Sequence, residues 1–143
     1  MAILNYTTKI ESSTTTGQIQ SILLKAGAHQ VTVHAEAGEP TGISFAIPMG
    51  AEKGLVFFQL PCNREGVLKA MSRDTNIPRS KCNPAQAQRV AWRIIKDWCE
   101  AQLAIIEAGQ AELAEVFLPY AMTKDGTTLF KVIEAGNVPL LGQ

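Results

Sequence analysis

No apolar run in this 143-residue chain approaches the ~20 residues that a membrane-spanning helix needs. Its opening, Met1-Ala2-Ile3-Leu4-Asn5-Tyr6, also lacks the charged region and long apolar core of a secretory leader, so a cytoplasmic protein with no membrane partner is expected. Cysteine is scarce: Cys62, Cys82 and Cys99 form an odd set without a CxxC pair. They cannot all pair internally, they suit a reducing compartment, and they offer no metal-ligand spacing. Histidine is scarcer still, with only His29 and His34, and His34 lies opposite the apolar side of its segment beside Glu36. No orienting partner for either imidazole is recognisable, and no glycine loop has phosphate-cradling spacing. The expectation is therefore a non-enzymatic protein without metal or cofactor. Net charge is absent as well, since 13 Lys and Arg balance 13 Asp and Glu. Attraction to a charged partner must come from local clustering.

What the chain does have is apolar material for one domain over residues 1–143. Hydrophobic residues make up 46 % of it, and a chain of this length buries roughly two thirds of the surface that its unfolded form exposes. Leu4, Tyr6, Thr8 and Ile10 alternate with polar residues, the period of a strand near 3–10. Hydroxyls at Ser12 to Thr16 can cap a helix over 16–26, which carries Ile19, Ile22, Leu23 and Ala26 on one face and ends at Gly27. Val31, Val33 and Ala35 alternate, as do Ile43, Phe45 and Ile47, with a hairpin connection at Gly38–Gly42. Leu55 to Leu60 is apolar on both sides, the pattern of a strand covered on both faces. Segment 3–60 thus predicts a small, mostly antiparallel four-stranded sheet, built as strand, helix and three-stranded meander.

Segment 63–122 reads as helical, giving an α+β fold whose sheet is covered by C-terminal helices. Asn63 caps a helix to about Ser72, with Val67, Leu68 and Met71 inward, and 74–82 is polar, proline-bearing and aperiodic, an exposed loop. Asn83-Pro84-Ala85-Gln86 combines a preferred cap, a proline suited to the first helical position and a glutamine able to reach back to the cap amide. A long helix follows, with Ala87, Ala91, Ile94, Trp98, Ala101 and Ile105 as its packing stripe. Ala111 to Phe117 continues as helix up to Pro119, Leu129 to Ile133 is a short apolar piece, and the tail 134–143 is expected to fray.

Charge is clustered in one stretch. Between Arg64 and Lys96 eight cations face only Glu65 and Asp74, a net of +6. Arg79 and Lys81 on the loop, with Arg89, Arg93 and Lys96 on one helical face, can neutralise backbone phosphates, and Trp92 beside them can stack on a base. The same spacing also permits Lys96–Glu100 and Arg93–Asp97 pairs, with both tryptophans in the core. Glu100, Glu107, Glu112 and Glu115 collect at the other end, making the chain bipolar and prone to self-association. Val90, Ile95, Leu103 and Ile106, apolar outside the packing stripe, add to the expectation of a homo-oligomer.

The wording of several segments is distinctive: Asn5-Tyr6-Thr7-Thr8-Lys9-Ile10, Gly66-Val67-Leu68, Trp92-Arg93-Ile94-Ile95-Lys96-Asp97-Trp98, Glu100-Ala101-Gln102, Ile106-Glu107-Ala108-Gly109 and Val116-Phe117-Leu118-Pro119-Tyr120. In these the chain resembles a group of small proteins encoded by tailed phages and prophages, mostly of Gram-positive bacteria. The group has no assigned activity, so the resemblance implies a phage accessory setting and carries over no functional residues. The expected function is non-enzymatic binding of nucleic acid, single-stranded rather than duplex, through Arg79, Lys81, Arg89, Trp92, Arg93 and Lys96. The alternative is a counter-defence protein that sequesters an anionic nucleotide signal with the same cations or blocks a host nuclease by protein contact.

Overall fold

Residues 3–142 are described by the structure, a computed structural model. Their order is α1 (Ser12–Lys25), β1 (His29–Glu36), β2 (Glu39–Pro48), β3 (Leu55–Pro61), α2 (Arg64–Arg73), α3 (Pro84–Glu107), α4 (Leu113–Val116) and α5 (Leu129–Glu134), with single 3₁₀ turns at Arg79–Lys81 and Leu118–Tyr120. The class is α+β. The sheet, however, has three antiparallel strands in the order β1-β2-β3, where four were expected.

The absent strand is the alternating segment 3–10. It turns through Leu4–Thr7 instead, with Asn5 at φ 69° and the Thr8 amide donating to the Asn5 carbonyl at 3.0 Å. The Tyr6 and Thr8 carbonyls, which a sheet ladder would use, both accept from Gln86 Nε2, at 2.8 and 2.9 Å. A glutamine side chain thus takes the place of a neighbouring strand. The hydroxyl cluster lies inside α1 rather than ahead of it: α1 starts at Ser12, and its cap residue Glu11 makes no side-chain capping bond.

One face of the sheet carries Ile43, Phe45, Ile47, Phe58 and Leu60, packed on Ile19 and Leu23 of α1 and on Trp92 and Cys99 of α3. Phe45 stacks on Phe58, its cross-strand partner, at 5.4 Å between centroids, and Phe117 meets Phe45 edge-on at 5.5 Å. Pleating sends Leu55, Phe57, Gln59 and Pro61 to the opposite face. That face is open, with Phe57 49 % exposed, so β3 is covered on one side rather than two. A second cluster, Met71, Ile77, Ala87 and Val90, lies where α2 meets α3, and Tyr6, Val67 and Leu68 pack against it. Ile77 anchors there the loop expected to be wholly exposed.

Both helix starts expected from their caps are present. The Asn63 side chain accepts from the Gly66 amide and that of Asn83 from the Gln86 amide, each at 2.9 Å, with Pro84 in the first turn of α3. The hairpin between β1 and β2 is tighter than Gly38–Gly42: Glu36 pairs with Glu39, leaving Ala37 (φ 50°) and Gly38 (φ 81°) as a two-residue turn. Two positive φ values in succession favour Asn-Gly, because alanine carries a Cβ penalty there. Ala37→Asn is expected to stabilise the protein by about 0.5–1 kcal/mol, read as a higher urea midpoint with unchanged slope.

Candidate nucleic-acid interface

The first half of α3 is enclosed rather than exposed, because the sheet, α1, α2 and the 3–10 segment surround it. Gln86, Ala87, Gln88, Val90, Ala91 and Trp92 are all buried. Trp92 has no exposed surface and its Nε1 donates to the Pro40 carbonyl at 3.3 Å. It is a core residue joining α3 to β2, with no ring face open to stack on a base. Of the expected packing stripe Ala87 and Ala91 are buried and Trp98 packs on the core, but Ile94 is 36 % exposed and Ala101 is exposed, and Trp92 and Cys99 turn inward beside it. Trp98 is half-buried, edge-on to Phe117 at 5.2 Å and to Tyr120 at 5.7 Å.

The three cations expected on the accessible helix face are engaged within the fold. Arg89 donates through Nε and Nη2 to Gln86 Oε1, at 3.1 and 2.7 Å. Arg93 reaches across to α1, donating to Gln18 Oε1 at 2.6 Å and to Thr15 Oγ1 at 3.4 Å. Lys96 pairs with Glu100. Asp97, the alternative partner for Arg93, accepts instead from Asn5 Nδ2 at 2.9 Å. Lys96 is therefore ion-paired, whereas Arg89 and Arg93 are partly buried and held by neutral acceptors, so the three do not form a freely accessible cationic face.

The loop pair fares differently. Arg79 is exposed, and its Nη1 donates to the Ser72 carbonyl at 3.3 Å, which fixes the 3₁₀ turn against the last turn of α2. Arg73 is the next residue along α2, with Lys69 one turn earlier, both exposed, and Lys81 closes the 3₁₀ turn. None of these four takes part in the three ion pairs found among the described residues. Asp74 is the only acidic residue between Gly66 and Lys96. Its Oδ1 accepts from the Asn76 amide at 2.9 Å, and its Oδ2 is the one buried side-chain oxygen without a partner among the described residues. Lys69 and Arg73 were not among the expected site residues, although their i,i+4 spacing places them on one helical face.

Two adjoining clefts of about 190 and 390 Å³ flank Arg64 and share Glu39 and Gln88. Arg64 and Arg89 meet four carboxylates there, Glu11, Glu36, Glu39 and Glu65, and Arg64 pairs with Glu65 at 3.2 Å. Such a lining repels an anion. Cys62 lies in the larger cleft, its thiol pushed up to about 12 by burial against the opposing pull of Arg64. Burial pushes the Cys99 thiol to about 12 as well. Thiols held protonated are poor nucleophiles. Among the described residues no group of three or more His, Cys, Asp or Glu is placed to hold a metal ion, and no helix is long and apolar enough to cross a membrane.

No family model, curated protein or solved structure matches this chain. The assignment of a function therefore rests on the residues themselves.

Because the folded state holds the Cys99 proton up to about pH 12 and an exposed thiol loses it near 9, stability is complete below pH 9. It declines as pH rises from 9 toward 12, by up to about 1 kcal/mol per pH unit. Urea midpoints at pH 8, 9.5 and 10.5 measure the decline, and Cys99→Val is expected to remove about half of it, the rest coming from Cys62, whose thiol is raised to about the same value.

Proposed function

We propose that this protein is a non-enzymatic nucleic-acid-binding protein whose contact surface is the shoulder formed by Lys69, Arg73, Arg79 and Lys81. The observation that carries the reading is the Arg79–Ser72 bond: it ties the basic loop to the basic end of α2, so cations of two elements are brought near one another with no ion-pair partner among the described residues. Unpaired surface cations release condensed counterions when they meet phosphates, and that release is the main source of sequence-independent affinity. With Trp92 in the core, the affinity comes from phosphate contacts rather than from base stacking. The phage accessory setting implied by the resemblance agrees with such a role. Sequestration of a nucleotide fits less well, because the clefts containing Arg64 and Arg89 are lined by more carboxylates than guanidinium groups.

Four phosphate contacts on a single strand give a slope of log affinity against log salt of about −3. Fluorescence anisotropy with a labelled oligothymidylate across 50–200 mM salt measures it. Changing Lys69, Arg73, Arg79 and Lys81 together to Ala is expected to weaken binding at least tenfold at 50 mM salt and to flatten the slope. Unchanged affinity would remove this shoulder as the site. Lys96→Ala, which removes a cation already paired with Glu100, is expected to leave affinity within twofold. Asp74→Asn takes the one carboxylate out of the shoulder, and binding should tighten two- to fivefold at low salt.

A further inference from the structure

Among the described residues five polar side chains are buried: Ser12, Thr15, Thr16, Gln86 and Gln88. Three of them are satisfied inside the protein. Thr15 accepts from Arg93, Thr16 donates to the Ser13 carbonyl at 3.1 Å, and Gln86 donates to the 3–10 segment while accepting from Arg89. The other two are not. Gln88 is 6 % exposed, and its Nε2 donates to the Pro40 carbonyl while its Oε1 accepts no hydrogen bond among the described residues. Because the Pro40 carbonyl can only accept, the amide nitrogen must face it and the oxygen turns away. Ser12 is 5 % exposed, and its hydroxyl has no partner among the described residues. Neither oxygen is sealed in, since Asp74 Oδ2 is the one sealed side-chain oxygen that lacks a partner.

Both groups open into the same place. Ser12 and Gln88 line the cleft of about 190 Å³ together with Glu11, Glu39, Arg64 and Arg89, and Gln88 and Glu39 also line the adjoining cleft of about 390 Å³, which adds Glu36 and Glu65. The two guanidinium groups are already engaged, Arg64 with Glu65 and Arg89 with Gln86. The carboxylates of Glu11, Glu36 and Glu39 take part in none of the three ion pairs among the described residues. Four carboxylates against two guanidinium groups leave the joined clefts with a formal charge of −2.

We infer that the joined clefts bind a linear aliphatic diamine or polyamine, one ammonium group held by Gln88 Oε1, Ser12 Oγ and Glu39 and the next by Glu36. Three observations select that chemistry. The free Gln88 oxygen can only accept, so the ligand must donate, and an ammonium group brings three N–H donors to share among a carbonyl, a hydroxyl and a carboxylate. The excess of two negative charges is matched by a ligand with two or more positive ones. Finally, the carboxylates are spread along two clefts instead of converging, and no three acidic, His or Cys residues among those described are placed to hold a metal ion, so the complementary charge is distributed along a chain. Buried polar groups are hydrogen-bonded as a rule. Here the missing partner comes with the ligand, while the exposed carboxylates add an attraction that salt screens.

Titration of the ¹⁵N-labelled chain with 1,4-diaminobutane and with spermidine at 150 mM salt is the test. Saturable shifts are expected at residues 11–12, 36–41, 62–65 and 85–89. Glu11→Gln with Glu39→Gln alters two exposed side chains that hold nothing in the fold, and should weaken binding at least tenfold with circular dichroism unchanged. Ser12→Ala removes a hydroxyl without a partner, so the thermal midpoint of the free protein should stay or rise while affinity falls about threefold. The bis-trimethylammonium analogue of diaminobutane has no N–H to donate, and 4-aminobutyrate replaces one ammonium by a carboxylate; each should bind at least tenfold more weakly than the diamine. Equal binding of either analogue or of Mg²⁺, unchanged affinity in the double variant, or shifts that do not saturate or fall elsewhere would overturn the inference. The joint replacement of Lys69, Arg73, Arg79 and Lys81 should leave diamine affinity unchanged, so this inference and the proposed function fail separately.

Discussion

A polar side chain on a helix enclosed by the rest of the fold must find its partner inside the protein, and residues 86–93 of α3 meet that demand with long-range bonds. Gln86 joins the carbonyls of Tyr6 and Thr8, Gln88 and Trp92 both donate to the single carbonyl of Pro40, and Arg93 crosses to Thr15 and Gln18. Each bond adds only about 1 kcal/mol net, but deleting one partner strands a desolvated group at a cost of about 1–3 kcal/mol. The cost of breaking them, more than their individual strength, fixes the relative positions of the N-terminal segment, the sheet and α1.

The distribution of free charge follows from that constraint. Cations near the enclosed half of α3 are drawn into its hydrogen bonding, and Arg89 orients on the same Gln86 that holds the 3–10 segment. Cations beyond it, on α2 and the 3₁₀ turn, have backbone or solvent for partners and keep their charge uncompensated. A run that looks uniform in sequence is thus split by packing into a structural half and an available half. The split falls near Pro84, where the chain passes from surface turn to enclosed helix.

What was legible in the sequence were features with local causes. Asn63 and Asn83-Pro84 announced two helix starts, alternation located β1 and β2, and a short apolar run located β3, because caps, pleats and runs depend on neighbours within a few residues. Three features were not legible, each for a physical reason. The alternation of residues 3–10 suits any extended segment lying between apolar and wet surroundings, and only the Gln86 side chain, some eighty residues away, decides that it is no strand. The 4-and-3 spacing of α3 assumes a single packing face, whereas its first half is covered on several sides, so Trp92 joins Ala87 and Ala91 in the core while Ile94 is left partly exposed. Arg93 looked solvent-facing because its acceptor, Gln18, lies 75 positions earlier. Of the site, the loop half was legible as charge density. Its anchorage on α2 was not, because a bond to the Ser72 carbonyl leaves no mark on side-chain identity.

The chain is neutral overall yet divided, with a net +6 between Arg64 and Lys96 followed by a series of glutamates from Glu100 to Glu115. Such a dipole drives head-to-tail association, which is heterologous, need not close and fades as salt screens it over a ~8–10 Å Debye length. Apolar surface such as that of Phe57 and Phe130 has the opposite dependence, because salt leaves its burial as favourable or strengthens it. Raising ionic strength therefore weakens any contact made through Lys69, Arg73, Arg79 and Lys81 and leaves the apolar surface of Phe57 and Phe130 unscreened.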